Sequence, residues 1–529
     1  MSGPPRTARP GFPAVMVASG IFLSRIFGLV RQRVLAHFLG LGDAADAFTT
    51  AFRIPNLLQN LLGEGVLSAS FIPVYARLRA EGQDREATEV ARAVFGLLAL
   101  TVSAIVLGGV LAAGPLTRVL AIGFPEAKRE FTEQLVRILF PGAGLLVFSA
   151  WCLGVLNSHR RFLLSYTAPI AWNLAIILAV LWRGAPDRQA ATAAALGSVL
   201  GSALQFGVQL PVVLPLLRSW WPTLDTRLPG VHTVLRNFGP ALLGRGVVQI
   251  SVFVDTILAS LLGTGAVAAL GNAQVLYTLP VSLFGMSVSA AELPEMSSAT
   301  GDPETVAAAL RHRLDRGLGQ IAFFVIPTAA VFLAFGGVIA AALFQTGRFS
   351  AADSQYVWIV LAGSAVGLLA ATMGRLYAST FYALQDTRTP LRCAFIRVLL
   401  TTLLGYLAAV TLPAAFHLEP RWGAAGLTAS AGVAGWIEYM MLSRSLAQRI
   451  GPGGPGIGLV LRLWTAAILG CAAGLAGRQL FHGFGPLGLA VGVLLPAGAV
   501  YFLIAAALRV PTALNLVQRL QRRALRGPE

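Results

Sequence analysis

Along most of the chain, apolar residues come in runs of about twenty, broken by single polar residues and separated by short polar connections. Runs of that length predict helices that cross a bilayer core of about 30 Å. Windows of this size give about fourteen such helices between residues 13 and 509, and so an all-α polytopic membrane protein.

The connections alternate in charge. Those holding Arg77, Arg79 and Arg85, then Arg160 and Arg161, then Arg218, Arg227 and Arg236, then Arg311, Arg313 and Arg316, then Arg388 and Arg392, then Arg444 and Arg449 are basic, as are both ends of the chain. They fall at every second connection, which predicts that both termini face the cytoplasm. The intervening connections, among them 40–45, the stretch around Lys128 and Glu130, and 263–266, are short or mixed. With no soluble domain on either face there is no room for an extramembrane active site, which weighs against a membrane glycosyltransferase or protease.

Composition agrees with this pattern. Hydrophobic residues make up 56% of 529 and charged residues 12%. The mean hydropathy is +0.72. That is more apolar surface than one soluble core buries. The net charge of +17 sits in arginines between apolar runs rather than on a folded face with interleaved aromatics, so it reports topology and not nucleic-acid binding. Cys152, Cys393 and Cys471 lie inside apolar runs without metal-ligand spacing and read as small buried hydrophobes. Arginines ahead of the first run resemble a signal peptide, but Ser24, Arg25 and Arg31 interrupt the run and no small-residue cleavage site follows, so an uncleaved first helix is expected. No nucleophile motif, phosphate-binding loop, His-rich cluster or dinucleotide fingerprint occurs. The expectation is a chain without catalytic residues, metal or cofactor, whose work is driven by an ion or by the membrane potential, or is not energised by this chain.

Two segments echo each other across the chain. Leu39-Gly-Leu-Gly-Asp-Ala-Ala45 resembles Leu262-Gly-Thr-Gly-Ala-Val-Ala268, an offset of 223 (262 − 39). Leu156-Asn-Ser-His-Arg160 resembles Leu384-Gln-Asp-Thr-Arg388, an offset of 228 (384 − 156). Such an echo predicts two lobes of equal orientation related by an axis along the membrane normal. The lobes would span 1–225 and 226–450, with two further helices and a basic tail over 451–529.

Polar residues inside spans are costly and normally face a bundle interior or a watery cavity. Ser24, Gly28 and Arg31 share one face of the first helix, with Arg25 beside it, and Asp46, Arg53, Asn56, Asn60 and Glu64 form a stripe down the second. Snorkelling by Arg25 and Arg31, or helix capping by Asp46, explains single residues but not a stripe that continues through the span. Farther along, Arg245 and Asp255 lie about 15 Å apart along one helix, too far to pair with each other, and Arg245 lies near enough to a helix start to snorkel. Glu438 is a deeply placed acid.

These residues resemble the motifs of the MurJ/MviN lipid II flippase family. Ser24-Arg-Ile-Phe-Gly-Leu-Val-Arg31, Asp46-Ala-Phe48, Pro55-Asn-Leu-Leu58, Ala69-Ser-Phe-Ile-Pro73, Gly239-Pro-Ala-Leu-Leu-Gly244 and Phe381-Tyr-Ala-Leu-Gln-Asp-Thr-Arg-Thr-Pro390 follow in the family's order. The resemblance covers roughly 13–447 and implies the fourteen-helix fold of the multidrug/oligosaccharidyl-lipid/polysaccharide exporters, with two six-helix lobes around a cationic cavity. It implies a substrate, lipid II, whose undecaprenyl-linked pyrophosphate suits arginine's planar paired donors, moved across the inner membrane by alternating access. Membrane lipids surround it, cell-wall synthesis proteins are candidate partners, and nucleic acid is not. Arg25, Arg31, Asp46 and Glu64 carry over as functional positions, and Ser24, Arg53, Asn56, Gln59 and Arg245 complete the expected cavity set.

Gln59 stands where the family has an arginine, and Ala273-Gln-Val-Leu-Tyr-Thr-Leu-Pro280 lacks both an arginine and a glutamate usual there. Arg245 is the expected substitute. Asp255 matches an acid of the family's sodium-binding members, but Thr401 and Gly405 replace its companions, so Asp255 and Glu438 are candidates for coupling by proton, sodium or membrane potential. Two other readings stay open: a flippase for a different undecaprenyl-linked oligosaccharide, favoured by the missing arginines, and a non-transporting cell-wall scaffold, which predicts tolerant cavity residues and intolerant loops.

Overall fold

The computed structural model describes residues 12–217, 221–298 and 301–524, with the side chains of 12–19, 21, 64, 243–245, 247–248 and 519–524 outside the description. The Glu64 and Arg245 side chains, and the terminal arginines Arg6, Arg9, Arg519, Arg522, Arg523 and Arg526, therefore lie outside the described residues.

The described chain is helical throughout. In order it forms α1 (Phe12–Leu39), α2 (Asp43–Leu62), α3 (Glu64–Ala80), α4 (Asp84–Leu111), α5 (Ala113–Leu120), α6 (Glu126–Ser158), α7 (Phe162–Arg183), α8 (Arg188–Val213) and α9 (Pro229–Ser260). Then follow α10 (Ala266–Pro280), α11 (Ser287–Ser297), α12 (Pro303–Phe344), α13 (Ala351–Ala383), α14 (Arg388–Tyr406), α15 (Leu412–Ala415), α16 (Arg421–Ile450), α17 (Ile457–Leu480), α18 (Pro486–Ala507) and α19 (Pro511–Ala524). Among the described residues, eleven helical stretches are long and apolar enough to span a bilayer. Each of the about fourteen expected segments falls on helix, but α1, α9 and α16 are not among the eleven, so the count of fourteen is not established.

Two compact units divide the chain. One holds residues up to Ser260 together with Thr346–Arg348, and the other holds Leu261–Gln345 and the chain from Phe349 onward. Helix α9, expected to open a second lobe at 226–450, packs in this structure with α2, α3 and α4 of the first unit.

In the first unit, α2 and α3 form one stretch interrupted at Gly63, where an added Cβ would lie 2.2 Å from the Gln59 carbonyl oxygen. Only a residue without Cβ permits that close approach. Its apolar core gathers Phe71 and Tyr75 of α3, Val90 and Val94 of α4 and Trp151 of α6, all buried.

In the second unit, α13 and α16 cross at glycines: a Cβ on Gly367 would sit 2.3 Å from the Cα of Gly432. Small residues let membrane helices approach closely enough for dispersion contacts to hold them, since lipid supplies no hydrophobic drive between helices. Ser350 caps α13 through the Asp353 amide while Asp353 returns to the Ser350 amide. The helices of 451–529 belong to this unit: α17 and α18 pack on α12 around Phe335 and Val493, and the Tyr501 hydroxyl donates to the Phe323 carbonyl.

Candidate functional site

The polar stripe of α2 faces α9. Arg53 donates through Nη1 to Thr256 Oγ1, and Thr256 in turn donates to the Val252 carbonyl at 2.7 Å. Asp255 lies within electrostatic range of the same guanidinium. One turn pair away, Asn60 Nδ2 donates to Gln249 Oε1 at 3.5 Å. The two rungs are seven residues apart on both helices, 53 to 60 and 249 to 256, which is the two-turn repeat that keeps side chains on one face. Gln249 and Thr256 were not singled out from the sequence; the matching interval was the signal that could have found them.

Arg31 is held differently. Its guanidinium stacks 4.7 Å from the centroid of the Trp172 ring on α7, within the range where a ring quadrupole attracts a cation. Trp172 is itself fixed by its indole N–H, which donates to the Ser198 carbonyl at 3.1 Å, and by Phe52 of α2 at a ring separation of 5.8 Å. Arg31 Nε is buried without a hydrogen-bond partner, and Arg31 has no ion pair among the described residues. The neighbouring Asn173 donates to the Pro169 carbonyl at 3.0 Å and leaves its own Oδ1 buried without a partner. Ser24 and Arg25 occupy the same helix, Ser24 half-buried and Arg25 exposed.

Asn56 and Gln59 line a small cavity with Phe52, Pro55 and Ser198, of about 20 Å³. That is room for about one water molecule. It links the α2 stripe to the Trp172 platform, because Phe52 and Ser198 belong to both.

Asp46 has another commitment. Lys128 Nζ lies 2.7 Å from Asp46 Oδ2 and 2.9 Å from Asp43 Oδ1, with Lys128 5% and Asp46 0% exposed. The ammonium also sits 4.2 Å from the centroid of Phe124. Lys128 was read from the sequence only as part of a mixed connection. In the second unit, Glu438 accepts from Arg397 Nη1 at 3.1 Å, so it too has a cation beside it. Thr401 and Gly405 are buried on α14, and Thr401 Oγ1 has no hydrogen-bond partner among the described residues.

The first unit thus offers an arginine on an aromatic platform, a second arginine beside an acid, and amides between them, carried on α1, α2 and α9. That chemistry suits a phosphorylated ligand rather than a metal or a nucleophilic reaction.

Comparison with known proteins places the whole chain. The family model described as "Lipid II flippase MurJ" matches residues 35–494. The Lipid II flippase MurJ of Burkholderia cenocepacia is 32% identical over 446 residues, covering 83% of this chain and 84% of that protein. A solved structure of a lipid II flippase MurJ in an inward closed conformation superposes with a TM-score of 0.77 at 20% identity, covering 93% of this chain and 98% of the other. An inward-facing multidrug resistance MATE family transporter of the MOP superfamily superposes with a TM-score of 0.65 at 16% identity, over 82% of this chain and 98% of that one, so the fold is the exporter fold. The chain belongs to the MurJ lipid II flippase family.

Proposed function

We propose that this protein carries lipid II, the undecaprenyl-pyrophosphate-linked peptidoglycan precursor, from the inner to the outer leaflet of the cytoplasmic membrane by alternating access. It is a transporter and not an enzyme. Within the family, the observation that carries the substrate assignment is Arg31: a cation inside a membrane span with an aromatic platform and no carboxylate partner among the described residues. Such a charge is expensive in a bilayer unless a ligand completes it, and a pyrophosphate oxygen presents the acceptors that a guanidinium edge matches.

In this reading both termini face the cytoplasm, and cell-wall synthesis proteins receive the product. Coupling to proton, sodium or membrane potential enters through Asp255, whose ionisation changes the field at Arg53. Glu438 is the weaker coupling candidate, because Arg397 already neutralises it. Arg245 supplies a further cation in place of the arginines this chain lacks at Gln59 and in 273–280.

The test is complementation of a bacterium depleted of its own lipid II flippase, with wild type, Arg31→Ala and Arg245→Ala expressed to equal membrane levels. Rescue by wild type and loss with Arg31→Ala is the expected result. Rescue by all three removes the cationic-site argument, and failure of inserted wild type points to another lipid-linked glycan.

A further inference from the structure

The second unit holds its own cluster of charge within helices of which two, α13 and α14, belong to stretches long and apolar enough to span a bilayer. Arg375 is on α13 and Arg397 on α14, the helices joined by the turn 384–387. Arg375 precedes the end of α13 at Ala383 by eight residues (383 − 375), and Arg397 follows the start of α14 at Arg388 by nine (397 − 388). At helical rise both lie at one level, roughly 12 to 14 Å from that turn. Helix α13 packs on α10 and α16, and α14 packs on α16. The packing brings Arg397, Glu438 and Tyr277 of α10 within electrostatic range of Arg375.

Two guanidinium groups face one carboxylate, which leaves one positive charge over. Arg397 Nη1 is tied to Glu438 Oε2 at 3.1 Å; Glu438 is 16% exposed and Arg397 41%. Arg375 is exposed and makes no hydrogen bond or ion pair among the described residues. Ala351–Ala383 is long and apolar enough to span a bilayer, and arginines within such spans face a ligand path by default.

We propose that Arg375 and Arg397, the latter oriented by Glu438, form an anion-binding site in the second unit that takes a phosphoryl group. The carboxylate holds one edge of the Arg397 fork and leaves the other donors directed outward. Arg375 adds a second planar set, and the Tyr277 hydroxyl is a neutral donor that fits the same oxyanion. The phosphoryl group has two possible sources, the polyprenyl pyrophosphate of the substrate or the headgroup of an anionic phospholipid. The first source rests on the flippase reading above.

Full-length protein in phosphatidylcholine nanodiscs is titrated with farnesyl pyrophosphate and, separately, reconstituted with increasing phosphatidylglycerol. Wild type, Arg31→Ala, Arg375→Gln, Arg375→Lys, Arg397→Gln and Glu438→Gln are compared. The site predicts roughly tenfold weaker binding for each Arg→Gln change, an intermediate loss for Arg375→Lys, and tighter binding for Glu438→Gln because a competing carboxylate is gone. That opposite sign is something a purely structural role would not give, and it remains readable if an Arg→Gln variant folds poorly. Losses confined to farnesyl pyrophosphate assign the polyprenyl source; losses confined to phosphatidylglycerol assign the headgroup. Unchanged binding of both probes in the folded Arg375, Arg397 and Glu438 variants overturns the site. If wild type binds no farnesyl pyrophosphate, or Arg31→Ala leaves that binding intact, the flippase reading fails instead, and the phosphatidylglycerol arm still decides the site.

Discussion

Lys128 and Arg31 are both cations inside the first unit, yet their surroundings differ in kind. Lys128 meets two carboxylates within 3 Å and an aromatic face, so its charge is more than balanced. Among the described residues, Arg31 meets an aromatic face and no carboxylate, with Nε left without a hydrogen-bond partner. A buried ion pair closes on itself and is a structural tie. A buried cation on a ring is preorganised but unfinished, which is what an anion site requires before its ligand arrives. On the proposed reading, the difference separates a residue that holds the unit together from one that meets the substrate.

The largest expected effect is on transport. Arg31→Gln lowers flipping of a fluorescent lipid II analogue in proteoliposomes by about 100-fold, since a charge-assisted contact to phosphate is lost, while the melting temperature moves little. A variant that transports normally would erase the distinction. Next comes stability: Lys128→Met leaves Asp46 buried without its cation and costs about 3–5 kcal/mol. Denaturation in mild detergent measures it, and the double change with Asp46→Leu is expected to recover most of the loss, because two apolar groups replace the pair. Smaller again is Thr256→Val, which removes the acceptor of Arg53 and costs about 1–3 kcal/mol. A double-mutant cycle with Arg53→Gln isolates that coupling; additive losses would mean the contact carries no energy.

The smallest effect is a pH dependence outside the membrane. His159, just past the end of α6, is hydrogen-bonded to the Tyr75 hydroxyl at 2.9 Å. Burial first, then the charges of Arg79 and Arg161, lower its pKa to about 4. The folded state therefore binds this proton less readily than the unfolded chain, whose imidazole titrates near the ordinary value of about 6.5. Its stabilising contribution is complete above about 6.5 and is lost as the pH falls toward 4. Melting curves from pH 7.5 to 4 are expected to drop by a few degrees more for wild type than for His159→Gln, and parallel curves would remove His159 from the account.

Much of the helical plan was legible because span length and hydropathy are local properties. The α2 stripe was legible as a stripe, and its partners were not: Arg53 and Asn60 meet Thr256 and Gln249 across about 190–200 residues of chain, and only the shared seven-residue interval hints at it. Lys128 was hidden for a different reason. An apolar window starts α6 at 133, whereas the helix begins at Glu126, so a buried lysine in the added turns looked like a loop residue. The internal echo was half right in register. Gly40 and Gly263, aligned by the sequence offset of 223, both adopt positive φ, +57° and +90°. At the other echo the positive-φ residues are Arg160 and Gln385 (φ 58° and 60°), an offset of 225 rather than 228, because the backbone turn ending each helix is matched and the side chains are not.

The Asp46–Lys128 pair also sets a problem of timing during synthesis. The two residues are 82 apart in the chain. At a translation rate of about 5–20 residues per second, the ribosome delivers Lys128 some 4–16 s after Asp46. For that interval a carboxylate destined for complete burial has no lysine to meet. The nascent α2 must therefore wait at the membrane surface, or in the insertion machinery, with Asp46 hydrated or protonated. The final closure of α2 on its neighbours then waits on α6, a helix made later in the chain.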